Sequence, residues 1–129
     1  MVDYTEGELR DRNQQDKALA MIAGAALGGN VAKNKKRCVW SLVFSNRLAT
    51  TETVSIRYNS VVVAVIQVTP GGIPGAAVAA GYNPPVVMGG KIKEPIFTFD
   101  GVIAGNKGIE VVGSADSSID VSASFYDIP

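Results

Sequence analysis

From residue 119 onward, apolar side chains take every second position, at Ile119, Val121, Ala123 and Phe125. The residues between them are mostly polar, which is the two-residue period of a β-strand with one buried face and one face in solvent. Strand-forming residues also dominate residues 96–100 and 109–113. We therefore predict a three-stranded meander, which needs a second sheet to cover its apolar face.

The middle of the chain predicts three more strands, at residues 38–45, 53–58 and 61–68. The first two alternate, and their predicted inward side chains are Cys38, Trp40, Leu42, Phe44, Val54, Ile56 and Tyr58. The third run, Val61–Val68, is apolar almost throughout. Such a run is typical of a strand buried on both faces, or of one covered by another segment or chain.

Near the N-terminus, residues 1–16 are polar and residues 17–28 are rich in alanine. Leu19, Ile22 and Leu27 fall on one stripe with a helical period, so we predict a short helix from about Asn13 to Leu27. The run is too short to span a membrane, which needs about 20 apolar residues. A thin helix of this kind is marginally stable alone, so it must pack on its own sandwich or on a neighbouring chain.

A basic segment follows, with Lys33, Lys35, Lys36 and Arg37 close together. Such a cluster can contact a phosphate backbone or an acidic partner. No aromatic residue is interleaved with the charges, so a stacking platform for single-stranded nucleic acid is missing. We interpret the segment as a solvated linker between an arm and the core.

Residues 70–90 form an insertion with four prolines and six glycines, which excludes a regular element through most of it. Loops of this length are usually functional or disordered. This one is apolar, and its apolar residues include Ile73, Val78, Tyr82, Val87 and Met88. Two interpretations stay open: another molecule covers it, or it folds back over one end of the sandwich. A tight turn is predicted further on, at Ala104–Gly108, because Gly and Asn tolerate positive φ.

The predicted fold is mainly β: an antiparallel, jelly-roll-like β-sandwich of about six to eight strands over residues 38–129. An N-terminal arm, residues 1–37, precedes it and contains the short α-helix.

The composition offers little for catalysis. The chain has no histidine, which excludes His-based acid–base chemistry and His metal ligands. Cys38 is the single cysteine, so an internal disulfide framework and a Cys-rich zinc site are excluded. The formal net charge is zero, so no overall field attracts nucleic acid or an anionic membrane. We predict a protein that is not an enzyme and that needs no cofactor or metal.

Two stretches of the core have a familiar order. The sequence from Ser41 to Tyr58 places an Asn turn before a Thr/Val-rich strand. The turn Val102–Lys107 then leads to an Ile/Val strand, a Ser/Ala break and a closing strand that ends near an aromatic residue. Over Val39–Ile128, apart from the insertion, this order resembles the small β-sandwich virion proteins of tailed bacteriophages.

The resemblance implies a non-enzymatic virion structural protein, and first of all a capsid cement or decoration protein. Such a protein would be made in the host cytoplasm and would sit on the capsid surface. Its partners would be the major capsid protein and copies of itself, with a trimer expected, and would include neither nucleic acid nor membrane. The predicted interface residues are Leu19, Ile22, Leu27, Ile73, Val78, Tyr82, Val87 and Met88.

Two alternatives remain. One is a tail or neck component built on the same sandwich. The other is a carbohydrate-binding or adhesion module, which needs exposed aromatic side chains. Tyr82 and Tyr126 are the aromatic residues predicted to be exposed.

Overall fold

The computed structural model of the protein describes residues 3–70, 85–101 and 108–129, and within them the predicted antiparallel β-sandwich is confirmed. The elements in chain order are α1 Glu6–Asp11, β1 Gln14–Leu19, β2 Ala25–Leu27, β3 Lys36–Asn46, β4 Glu52–Tyr58, β5 Val61–Val68, β6 Val86–Gly89, β7 Phe97–Asp100, β8 Ile109–Gly113 and β9 Ile119–Ile128. The predicted turn at Ala104–Gly108 and most of the 70–90 insertion lie outside the described residues.

Two antiparallel sheets form the sandwich. Sheet A has the strand order β1-β9-β3-β6, and β7 pairs with β3 beside β6. Sheet B has the order β2-β8-β4-β5. The long ladder between β3 and β9, from Lys36↔Ile128 to Asn46↔Ile119, is the centre of sheet A.

The core lies between the sheets and follows the alternating pattern of the sequence. Ile119, Val121, Ala123 and Phe125 all face it and are at most 4% exposed, as predicted. Their partners across the core include Val54 and Ile56 of β4 and Val111 of β8. Burial of these side chains supplies most of the driving force for folding, roughly 1.5–3 kcal/mol for each large one.

The inward set predicted for β3 is half wrong because the strand contains a bulge. The register with β9 shifts between Val39 and Ser41, so Trp40 is an extra residue. One extra residue moves every side chain before it to the opposite face. Val39 and Leu42 therefore share the core, whereas Cys38 and Trp40 lie on the outer face of sheet A.

The predicted meander is also wrong. Strand β7 belongs to sheet A, β8 to sheet B and β9 to sheet A, so consecutive strands cross between the sheets. The two-residue period was predicted correctly for each strand. A strand with this pattern can bury its apolar face in sheet A or in sheet B equally well. The pattern therefore leaves the choice of sheet open.

The N-terminal helix lies earlier in the chain than predicted, over Glu6–Asp11. It begins with a capping box: the Glu8 backbone N–H donates to Thr5 Oγ1 at 3.2 Å, and the Thr5 backbone N–H donates to Glu8 Oε1 at 3.1 Å. Leu9 is the buried residue of the helix. The Thr-x-x-Glu sequence was the available signal for this helix.

Residues 14–27, predicted to be mostly helical, form edge strands of both sheets. Strand β1 pairs with β9, and β2 pairs with β8. Between them Gly24 has a φ of 93°, a conformation that favours glycine and is incompatible with a continuous helix. The helical period of the apolar residues was misleading because pairing with β9 and β8 outweighs this weak local preference. This part of the predicted arm is thus integral to the sandwich.

The basic segment is solvent-exposed at Lys33, Lys35 and Lys36, but it connects β2 to β3 of the sandwich rather than an arm to the core, and Arg37 is buried at 3% exposure. Its guanidinium donates from Nε to Asp127 Oδ1 at 2.9 Å and from Nη2 to Oδ2 at 3.0 Å. Nη1 donates to the Gly28 and Gly29 carbonyls, each at 2.8 Å. The guanidinium also lies 4.4 Å from the ring centroid of Phe125. Arg37 therefore joins β3, β9 and the turn after β2.

Candidate interaction surface on strand β5

Strand β5 has the predicted bounds, and of its two predicted settings the structure excludes burial on both faces and leaves cover by another segment or chain as a prediction. It is the outermost strand of sheet B, and four of its valines are exposed: Val61 by 63%, Val62 by 56%, Val63 by 41% and Val65 by 63%. We call these four residues the valine edge. An isolated exposed valine is ordinary, but four on one edge strand give it an exposed apolar border of the kind that marks an interaction site.

A two-residue turn holds the beginning of β5 against β4. Asn59 and Ser60 have φ values of 51° and 69°, as the primed hairpin turns require at both central positions. Tyr58 and Val61 consequently face each other across the ladder.

A bulge explains why so many valines face outward. Arg57 pairs with Val62 and Ile56 with Ala64, so Val63 is the extra residue. Beyond the bulge Ala64 and Ile66 pack against the core, which leaves Val63 and Val65 on the outer side. The bulge thus adds an outward valine without breaking the strand.

An ion pair lies on the outer face beside the valine edge, and its two charges neutralise each other. Arg57 Nε lies 3.1 Å from Glu110 Oε1, and Arg57 Nη2 donates to the Ala23 carbonyl at 3.0 Å. Next to Val65 the ladder continues with neutral residues, Ser55 and then Val112. The valine edge itself contains no charged residue.

The backbone of β5 is open on the side away from β4. Within residues 3–70, 85–101 and 108–129 no other strand pairs with β5. Other edge strands have features that discourage pairing with another chain. Strand β1 carries Asp16 and Lys17, while β2 and β6 have only three and four residues. Natural proteins use charge and shortness in this way to prevent edge-to-edge association. Strand β5 has eight residues and lacks both devices.

The predicted interface residues are scattered over the molecule. Ile22, in the turn between β1 and β2, is 60% exposed, and Val87 on β6 is 61% exposed. Leu19 and Met88 are half-buried, and Leu27 is part of the core at 2% exposure. The other three, Ile73, Val78 and Tyr82, lie outside the described residues.

Sequence reasoning missed the valine edge because composition does not distinguish a central strand from an edge strand. A run of β-branched residues is most often buried on both faces. The available hint was the tight turn at Asn59-Ser60. It fixes β4 as one neighbour of β5, so only the other side of β5 is left for a second neighbouring strand.

A second apolar cluster lies on the outer face of sheet A and is covered by α1. Its buried members are Leu9, Cys38, Ile92 and Tyr126, and we call it the outer cluster. The Tyr126 hydroxyl donates to the Ile92 carbonyl at 3.0 Å. Tyr126 is only 4% exposed, so its predicted role as an exposed contact is wrong.

Burial in the outer cluster shifts two proton equilibria. It raises the pKa of the Cys38 thiol, which makes the reactive thiolate scarcer. Burial, together with the nearby Cys38, raises the pKa of Tyr126 to about 12. Both groups are therefore neutral at physiological pH, and Cys38 is unsuited to act as a nucleophile.

We expect one of the four tyrosines to ionise late in an alkaline titration, because Tyr126 keeps its proton until about pH 12 in the folded protein. The unfolded chain loses that proton near pH 10, so the contribution to stability is complete below pH 10 and is lost between pH 10 and about 12. Tyrosinate absorbance of the native protein against a Tyr126→Phe variant measures this step. Ionisation of Tyr126 near pH 10 in folded protein would contradict the prediction.

A surface cleft of about 330 Å³ lies between α1 and residues 90–94. Its charges largely pair with one another: Arg10 with Glu6 at 2.8 Å, and Lys91 with Glu94 at 3.8 Å. Within the described part of the chain, no cluster of three or more acidic or cysteine side chains could hold a metal ion. Nor does this part contain a helix long and apolar enough to cross a membrane. The valine edge is the feature most suited to a specific contact.

Comparison of the chain with protein-family models gives no match, and comparison with curated protein sequences gives none either.

Proposed function

We propose that this protein is a non-enzymatic structural protein of the virion, a capsid cement or decoration subunit. The observation that carries the proposal is the valine edge, a long, uncharged and apolar edge strand that a folded monomer leaves in water. Covering each half-exposed valine would contribute roughly 1 kcal/mol. A surface of this kind suits a protein whose working state is an assembly.

The resemblance to the β-sandwich virion proteins of tailed bacteriophages supplies the setting. A cement protein needs contacts with its own copies and contacts with the shell. Ile22 and Val87 are exposed apolar residues away from β5, and we assign them to contact with the major capsid protein. Repetition over a symmetric shell makes weak individual contacts sufficient, because linked sites bind with avidity.

The test is binding to empty capsids that were assembled without this protein. We expect the purified protein to sediment with the capsids up to a fixed ratio and to raise their resistance to heat. A variant with both Ile22→Lys and Val87→Lys should lose at least tenfold in affinity, because charges replace the apolar contacts.

The matched control is Thr98→Lys, which adds a charge to an exposed position of sheet A without removing an apolar side chain. It should bind like the parent protein. Failure of the parent protein to bind capsids under any condition, or binding to glycans instead, would remove the proposal.

A further inference from the structure

We propose that the occupant of the valine edge is β5 of a second copy of this chain, paired antiparallel across a two-fold axis. The two B sheets would then form one continuous sheet through both subunits. The inference rests on the proposed function, since it names the partner of the surface on which that function depends.

Charge is the first argument for self-pairing. Strand β5 has no charged residue, and the nearest charges on its face, Arg57 and Glu110, already form an ion pair. A second β5 therefore meets no like charge, and a charged partner segment would gain no counter-charge. Among the described edge strands, β5 alone combines length with the absence of charge.

Geometry is the second argument. Directly opposed residues of antiparallel strands lie on the same face, and a two-fold axis makes residue i oppose j when j opposes i. Outward Val63 and Val65 must thus oppose outward residues, so the numbers of two opposed residues have an even sum. A register centred on Val65 meets this condition from Val63 to Gln67 and places Val65 of one copy opposite Val65 of the other, whereas Val62, which precedes the bulge, lies beyond the matched residues. Cross-strand pairs of β-branched residues are among the stabilising ones.

The backbone is the third argument. The outer N–H and C=O groups of β5 have no partner strand among the described residues, and a second strand would satisfy those beyond the bulge at Val63 in a ladder. The inward residues Ala64, Ile66 and Val68 stay on the core side in this arrangement.

Light scattering on the full-length protein tests the inference. We expect a species of twice the 13.5 kDa monomer mass at high concentration, which dissociates on dilution. Val65→Lys should raise the dissociation constant at least a hundredfold, because it places two like charges near the axis. The matched control is Val87→Lys, which replaces a valine of nearly equal exposure, 61% against 63%, on sheet A. It should leave the dimer intact.

Hydrogen exchange of the wild-type protein keeps the test valid even if Val65→Lys does not fold. Amides of residues 62–67 should be protected more strongly above the dissociation concentration than below it. Each of three results would overturn the inference: a monomer at all concentrations, a trimer, or a dimer that Val87→Lys disrupts and Val65→Lys does not.

These outcomes separate the two proposals. A monomer that still binds capsids overturns the self-pairing and leaves the cement function in place. A dimer that depends on Val65 but does not bind capsids supports the self-pairing and removes the cement function.

Discussion

Replacement of Arg37 by alanine is expected to lower the free energy of unfolding by about 3 kcal/mol, because it breaks a buried ion pair on one side only. The Arg37 side chain is 4% exposed and that of Asp127 is 20% exposed, so the remaining carboxylate would have little access to water. The variant would also leave the carbonyls of Gly28 and Gly29 without their donor and would remove the contact with Phe125. Urea unfolding followed by circular dichroism measures the change.

Arg47→Ala is the matched control, because Arg47 also forms a two-bond pair with a carboxylate of β9. Its Nε lies 2.7 Å from Asp120 Oδ2, but the side chains are 53% and 43% exposed. Exposed pairs contribute little, so the urea midpoint should hardly change. Equal effects of the two substitutions would contradict the assignment of Arg37 as a buried connection between elements. Arg37→Lys should fall between the two, because lysine lacks the planar fork that reaches the carboxylate and both carbonyls.

Deletion of residues 1–28 is expected to abolish cooperative unfolding altogether. The deletion removes β1 from sheet A and β2 from sheet B, and it takes Ala20 and Leu27, at most 2% exposed, out of the core. The remaining strands β9 and β8 would each lose their only neighbour on that side. Loss of a thermal or urea transition by circular dichroism would establish this result.

Deletion of residues 1–12 is the comparison that separates the strands from the helix. It leaves both sheets complete and removes Leu9 from the outer cluster, at a cost of about 2 kcal/mol. This variant should still unfold cooperatively, and its Cys38 thiol should react faster with a thiol reagent. A cooperative transition of parental midpoint in the 1–28 deletion would mean that residues 14–27 are a dispensable arm.

The alternating pattern was sufficient to predict most strands but not their arrangement. Residues 53–58 and 109–113 match β4 and β8, because period-2 burial and turn residues are local properties. The bulge at Trp40 could not be predicted, since nothing in the composition marks a single extra residue. The same limit applies to the valine edge: whether a strand has one neighbour or two depends on the whole chain.

The N-terminal segment shows a different limit. Its apolar residues fit a helical stripe, yet pairing with β9 and β8 gives residues 14–19 and 25–27 the partners that a strand needs. Tertiary pairing outweighs a weak local preference. The real helix, six residues long, was too short for periodicity and was marked only by its cap.

The position of β9 between β1 and β3 has a consequence for biosynthesis. This strand is translated after both of its neighbours, so β1 cannot be joined to β3 in one sheet while β9 is still inside the ribosome. Until then Leu42 and Phe44 of β3 lack Ala123 and Val121, their neighbours across the ladder in the finished sheet. Pairing between such distant positions is slow, on the order of milliseconds to seconds. Sheet A is therefore completed only after β9 has been synthesised.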